Sequence, residues 1–332
     1  MFRRIARRFF AGIGIVLFVV TVTFILVNLA PGDPARLWVA PGAGEAELEI
    51  ARRALGLDRA LPIRYLSWLA GFVTGNWGMS LTQQRPVTAI IGGALPYTLL
   101  LSVSSLLVTY IGGILIGIVQ AIRRRSAIDT GLTVSTLVVY GMPAYWLAIM
   151  LVLVFSYVSA RHGWPFWLRF PALGVTSLDA DFLTPAERTF DRLRHLALPL
   201  VTLGLIGVAG TARFVRGAVL DARSLPFTQT ARAKGLSPMV VEMRHVLRNA
   251  LLPVITLLGL SLPALFSGTV FVEVIFAWPG MGRVMVDAVS GRDYPVVMAI
   301  TAIFASLVIV GNLLADILYG VADPRIAEGE SA

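Results

Sequence analysis

The chain has 332 residues, of which 57% are hydrophobic and 14% charged, with a mean hydropathy of +0.79 and a formal net charge of +9. Soluble domains carry about 25% charged residues, so the composition excludes an ordinary soluble globule and points to a multi-span membrane protein. There is no cysteine, which excludes disulfides, thiol catalysis and cysteine-ligated metals.

A helix needs about 20 apolar residues to cross a bilayer. Six stretches have that length or nearly so: Phe9–Ala30, Tyr97–Ile122, Leu132–Val158, Leu196–Ala212, Leu251–Ile275 and Val296–Val321. The basic start Met1–Arg8 resembles the opening of a signal peptide, but the apolar run behind it is too long, so an uncleaved first span is expected. After it, Pro31-Gly32-Asp33-Pro34 breaks the helix and opens a large external segment, 31–93. Within that segment Glu45–Leu57 has helical spacing and stops near Gly56, while Asn76-Trp77-Gly78 and Arg85-Pro86 read as turns. Gly113 and Gly117 in the second span form a small-xxx-small pair suited to close helix packing. The second external loop, 160–195, is rich in aromatics (Trp164, Phe166, Trp167, Phe170) and suits an interfacial belt. The fourth span continues through Arg213 and Arg216, each costly at a helix centre, so both belong at an aqueous boundary. Pro253 and Pro263 are candidate kinks of the fifth span. The third external loop, 276–295, holds Trp278-Pro279-Gly280-Met281-Gly282, a turn or re-entrant signal.

Arg3, Arg4, Arg7 and Arg8 precede the first span and Arg123, Arg124 and Arg125 follow the second. The positive-inside bias then places the amino terminus, the Arg123 turn, the polar stretch 221–250 and the tail in the cytoplasm. Arg213, Arg216, Arg223, Arg232, Lys234, Arg244, Arg248 and Arg325 fall on the same side, while the external arginines are nearly cancelled by acidic residues. The basic surplus is thus a topology signal, with no nucleic acid implied.

No catalytic centre is visible. There is no HExxH and no G-x-S-x-G, and His162, His195 and His245 fall in three separate loops. A phosphate-cradling P-loop needs Gly-Lys-Ser/Thr, whereas the single lysine, Lys234, lies between Ala233 and Gly235. The chain therefore carries no standard ATP site, metal or cofactor of its own. Ion-coupled carriers keep carboxylates inside their spans; here Asp316 lies within one and Glu273 at the edge of another. The chain reads as a conduit driven by something else, the alternative being a gradient-driven carrier or channel built around Asp316.

The stretch Phe227–Pro253 is the most informative. Gln229-Thr230-Ala231-Arg232-Ala233-Lys234-Gly235-Leu236 is followed by a basic run through Arg244, His245 and Arg248 to Leu252-Pro253. It resembles the EAA loop of ABC importer membrane subunits, in the form typical of the peptide/nickel permease family. Gln229 stands for the general Glu and Thr230 for the first Ala. Leu29-Ala30-Pro31-Gly32-Asp33-Pro34, Leu55-Gly56-Leu57-Asp58, Gly78-Met79-Ser80-Leu81, Leu95-Pro96-Tyr97-Thr98-Leu99, Glu273-Val274-Ile275-Phe276 with Trp278-Pro279-Gly280-Met281-Gly282, Arg292-Asp293-Tyr294-Pro295 and Asp323-Pro324-Arg325 extend the resemblance along nearly the whole chain.

The resemblance implies an all-α integral membrane protein with six transmembrane helices, a type I ABC importer permease fold and a structured external segment after helix 1. Residues 1–94 would form the first helix and external segment, 95–322 the permease domain with coupling loop 221–250, and 323–332 a cytoplasmic tail, in a bacterial or archaeal cell membrane. Expected partners are a second, similar permease subunit, two cytoplasmic ATPase subunits that carry the ATP and magnesium, an external substrate-binding protein and the lipid bilayer. Di- or oligopeptides are the implied cargo, with nickel chelates and glutathione as alternatives. Gln229, Thr230, Ala231, Arg232, Ala233, Lys234, Gly235, Leu236 and Arg244 are the expected coupling surface. Gly235 can adopt the left-handed conformation that turns one short helix into the next.

Overall fold

In a computed structural model of the chain, the described residues are 2–29, 32–40, 42, 44–261 and 269–322, with side chains described from 6 to 317. Among them the regular elements are helical, apart from one isolated antiparallel bridge between Met79 and Pro86. Pro31, Pro263, the Asp323-Pro324-Arg325 motif and the tail 323–332 lie outside the described residues.

Helix α1 (Phe2–Leu29) is followed by a 3-10 turn, Pro34–Leu37, whose cap is Asp33 accepting the Ala35 N–H at 2.9 Å. Helices α2 (Glu45–Ala54) and α3 (Leu61–Thr74) come next, and α3 stops at Gly75, which takes a φ of 83°. Helix α4 (Val87–Ile122) is followed by α5 (Ala127–Gly141), with Ser126 as N-cap. Helix α6 (Ala144–Arg161) widens to π-helix over Leu153–Val158. Helix α7 (Pro185–Ser224) is the longest at 40 residues, opened by a reciprocal Thr184–Glu187 capping box with Pro185 in the first turn. Then follow α8 (Pro226–Ala233), α9 (238–250, π-helical over Val241–Val246), α10 (Leu252–Ser261), α11 (Val270–Ile275), α12 (Met281–Ser290) and α13 (Tyr294–Ala322).

Five of these helices are long and apolar enough to cross a membrane: Ala6–Leu29 of α1, α4, α6, α7 and Tyr294–Ile317 of α13. The expected fifth span, Leu251–Ile275, contains residues outside the described set, and α10 and α11 flank them. The expected third span, Leu132–Val158, is broken. Met142 is extended (φ −81°, ψ 131°) because Pro143 excludes the helical region for the residue before it, so α5 and α6 replace one continuous helix. At Pro253 the helical run is interrupted at Leu251, two residues before the proline. Pro253 itself sits in the first turn of α10, where a missing N–H costs nothing. Residues 87–93, expected in the external segment, form the start of α4, and residues 185–195, expected in a loop, form the start of α7.

The chain packs as two compact units. In one, formed by Leu99–Trp278 with Val310 onward, α4 and α7 meet along a seam of small residues. A Cβ on Gly113 would stand 2.5 Å from the Thr211 Cβ, and one on Gly117 would stand 2.6 Å from the Ala212 carbonyl. Gly204 of α7 reciprocates, with 2.7 Å to Val108. The pair read from sequence is thus a packing feature that lets two backbones touch. In the other unit, Phe2–Thr98 with Pro279–Ile309, the start of α4 (Val87, Ile90, Ile91, Ala94) packs on Met281 and Ala288 of α12 and on Val296, Val297, Ala299 and Ile300 of α13. The buried Asp293 carboxylate there accepts from Ser80 Oγ, from the Thr82 N–H at 3.1 Å and from Thr82 Oγ1 at 2.8 Å.

Candidate functional site

Helix α7 spans about 60 Å at 1.5 Å per residue, roughly twice the hydrocarbon core of a bilayer. Its last turns therefore reach well beyond any span, and they carry Arg213, Arg216 and Arg223. Arg216 is held in a bidentate pair with Asp129 at the start of α5 (2.9 and 3.0 Å). Arg213 lies 5.0 Å over the ring of Tyr140. Both arginines are thereby drawn from α7 onto α5.

Leu225-Pro226 ends α7, since Leu225 before the proline is extended (ψ 148°) and Pro226 starts α8. The buried Thr228 hydroxyl donates back to the Ala222 carbonyl at 3.1 Å, fixing the turn angle. Helix α8 closes with Lys234 N–H to Thr230 C=O (3.1 Å), Gly235 N–H to Arg232 C=O (2.9 Å) and Leu236 N–H to Ala231 C=O (3.4 Å). Gly235 takes a φ of 78°, the left-handed conformation that glycine adopts at least cost, and Ser237-Pro238 then starts α9.

Two anchors fix this helix–turn–helix to the body. One is apolar: Ala231, Val241, Val246, Leu247 and Ala250 pack with Val215, Val219 and Ala222 of α7 and with Tyr110 and Ala121 of α4. The other is polar. The Arg223 guanidinium donates from Nε to both Glu242 oxygens (3.1 and 2.9 Å), from Nη2 to Oε1 (2.8 Å), and from Nη1 to the Ala121 carbonyl at the end of α4 (2.5 Å). One side chain thus ties α4, α7 and α9 together.

The residues expected to couple do not all face one way. Gln229, Thr230, Arg232, Ala233, Lys234, Gly235, Leu236 and Arg244 are exposed, whereas Ala231 is buried in the chain's own core and anchors the loop. The outer face is extended by Met239 and Met243, 68% and 53% exposed and one turn apart on α9, which sequence reading did not single out. Their signal was present: two long apolar side chains four apart on a helix whose Val241, Val246 and Leu247 are buried. The Arg223–Glu242 pair, 19 residues apart, had no such signal. The result is a cationic surface with a flexible methionine patch, held rigidly from behind. Methionine adapts to irregular partner surfaces.

Elsewhere, Glu273 is buried and accepts from Thr269 Oγ1 at 2.9 Å, and Asp316 is half-buried on α13. His195 is not in a loop as expected. It is buried on α7, its Nδ1 2.9 Å from the Asp191 carbonyl, because the helix begins at Pro185, well before its purely apolar part at Leu196. His245 is likewise helical, within α9.

Residues 113–328 match the family described as binding-protein-dependent transport system inner membrane component, and residues 1–102 match the N-terminal model of such membrane components. The oligopeptide transport system permease protein AppB of Bacillus subtilis (strain 168) is 40% identical over 323 residues, covering 97% of this chain and 98% of that protein. The glutathione transport system permease protein GsiC of Escherichia coli (strain K12) is 37% identical over 313 residues, covering 93% and 94%. A solved structure described as an amino acid ABC transporter with histidines superposes with a TM-score of 0.53 at 15% identity, over 70% of this chain and 94% of that one.

Proposed function

The chain belongs to the family of binding-protein-dependent transport system inner membrane components, and on that premise we propose that it imports di- or oligopeptides with its loop 221–250 as the ATPase-docking element. It is a multi-pass membrane subunit of a peptide-type ABC importer, with the type I permease fold, and not an enzyme in its own right. Residues 1–94 supply the first helix and an external face for a substrate-binding protein, and 95–322 supply the transport core beside a second permease. Two ATPase subunits bring ATP and magnesium and bind on the cytoplasmic side, where the basic flanks also put both termini.

One observation carries the reading: an exposed cationic and methionine-rich surface is clamped from behind to the ends of α4 and α7. Closure of the ATPase pair around Gln229–Leu236 pushes the loop as one body, since Ala231 and Arg223 leave it little freedom to slide. The push enters α7 and α4 together because their small-residue seam prevents them from moving apart. Peptide rather than glutathione or chelated nickel is favoured by the names of relatives such as AppB and the Pseudomonas aeruginosa di/tripeptide permease DppB; GsiC keeps glutathione as the alternative.

The test uses Gly235→Trp and Gly235→Ala. Among the described residues no atom beyond its chain neighbours lies within 4 Å of a Cβ at Gly235, so both variants bear the same backbone penalty of about 1–2 kcal/mol and only the indole adds bulk toward a partner. Peptide uptake in proteoliposomes with all subunits is expected to vanish for Trp and to persist, reduced, for Ala, with both proteins inserted. Normal uptake by the Trp variant removes the coupling role of this turn.

A further inference from the structure

The unit formed by Phe2–Thr98 and Pro279–Ile309 holds an open cavity of about 440 Å³, to which the transport reading assigns no ligand. Small-molecule sites have volumes of about 300–1,000 Å³. Arg53, Arg59 and Arg64 line this one, and no acidic residue does. Arg53 has Glu49 at 3.4 Å, and Asp33, beside the adjoining smaller cavity, is committed to Arg52 at 2.6 Å. Among the described residues no carboxylate pairs with Arg59 or Arg64. Burial pushes the Arg64 guanidinium below its ordinary value, as expected for a cation removed from water without a counter-charge.

Two further wall residues are unsatisfied. Trp68 Nε1–H and Tyr294 Oη are shielded from solvent and have no hydrogen-bond partner. Buried donors left unmet are rare in folded proteins and costly. Trp68 stands one turn after Arg64 on α3, so both project from one face. Trp68 and Trp77 give the cavity an aromatic side, and Phe72, outside the lining, stacks between them at 5.4 and 5.3 Å. A cationic wall, unmet donors and an aromatic side together describe a receptor for an oxyanion attached to an apolar body.

We infer that this cavity binds the phosphate of a phospholipid headgroup, held by Arg59 and Arg64 and hydrogen-bonded by Trp68 and Tyr294. The outer face of α3 favours lipid over free phosphate. Ile63, Leu66 and Val73, opposite Arg64 and Trp68, are 55%, 62% and 79% exposed, on a helix of 14 residues that is too short to span. Amphipathic helices of this kind lie at the headgroup boundary with their apolar side among acyl chains. Guanidinium groups suit phosphate because their planar fork matches its geometry. This inference stands apart from the coupling loop and does not depend on the cargo.

The full chain is purified into nanodiscs of phosphatidylcholine containing phosphatidylglycerol and examined by native mass spectrometry. Wild type is expected to retain one phospholipid more than the double variant Arg59→Gln/Arg64→Gln, with retention at least about ten-fold weaker in the variant. Trp68→Phe keeps the ring, loses the N–H and is expected to weaken retention about five-fold. In parallel, delipidated protein in detergent is titrated with inorganic phosphate and its thermal midpoint followed. A rise in wild type but not in the arginine variant, with equal lipid retention, assigns the same oxyanion site to free phosphate. Equal lipid retention together with equal phosphate response overturns the inference. If the arginine variant does not fold, Trp68→Phe decides, and retention unchanged from wild type overturns it.

Discussion

Replacing Arg223 with alanine tests whether the loop is driven as a body. The guanidinium makes three contacts to Glu242 and one to the Ala121 carbonyl. The two side chains are 22% and 14% exposed, far from the fully solvated pairs that contribute about 0–1 kcal/mol. Breaking a fully buried pair from one side costs about 3–5 kcal/mol. The residual exposure of this pair lowers the figure to about 2–4 kcal/mol, because Glu242 can rotate toward water while the Ala121 carbonyl cannot. The loss is local. Val241, Val246, Leu247 and Ala250 still pack on α7, so the fold survives and the free energy for α9 to open falls. At about 1.4 kcal/mol per decade, amide exchange over residues 241–250 should accelerate about 30- to 700-fold by hydrogen-exchange mass spectrometry, with α1 and α13 unchanged. In proteoliposomes ATP hydrolysis should continue while uptake per ATP falls. Adding Glu242→Ala to the variant should cost little more, since the pair acts as a unit. Exchange over 241–250 within about three-fold of wild type would refute the clamp, whatever happened to uptake.

Gly117→Leu should separate α4 from α7, because its Cβ would meet the Ala212 backbone carbonyl; the thermal midpoint in detergent should drop, by an overpacking cost of about 1–3 kcal/mol or more. Gly131→Ala, with nothing within 4 Å, should be neutral or stabilising by about 1 kcal/mol; an equal drop in both variants would dismiss the seam. Asp33 bears on pH. Burial raises its carboxyl, but the Ala35 N–H and the Arg52 guanidinium outweigh that and hold it below the ordinary 3.8. A depressed folded value means stabilisation that is present above about 3.8 and lost as pH falls through the folded value. Acid titration of exchange over residues 34–57 should show that loss in wild type and not in Asp33→Asn. Matching profiles in the two would assign the acid sensitivity elsewhere.

Much of this architecture was legible because hydrophobic length is a strong signal. The second, fourth and sixth expected spans each lie inside a single long helix, as does the first as far as Leu29, and the glycine turn at 235 sits where its neighbours suggested. The errors have specific causes. Apolar content does not fall across Gly141-Met142-Pro143, so the third span looked continuous, and only the backbone restriction before proline marked the break. The external segment was drawn as far as residue 93, yet Val87, Ile90, Ile91 and Ala94 recur at helical spacing and bury their face on α12 and α13. Tertiary burial there outweighed local propensity. Ala231 looked suited to a partner's cleft because it is small, and that same smallness lets it fit the chain's own core. Asp129 and Arg216, 87 residues apart, find each other only through the packing of α5 on α7, which no local pattern encodes.

The unbroken run of α7 from its capping box to Ser224 makes it a lever. Pro199, buried within it, is a natural fulcrum, since the helix lacks one hydrogen bond there. The arm beyond Pro199 is about 38 Å long, and it bears Arg213, Arg216 and Arg223 near its tip. A swing of about 10° at the proline moves that tip by about 7 Å at this rise per residue. A rod of this kind transmits displacement without any chain of rearranging side chains along its length. Its gain is set by where the proline sits, so shifting Pro199 by one turn would alter the stroke delivered to the far end while leaving every contact at the loop intact.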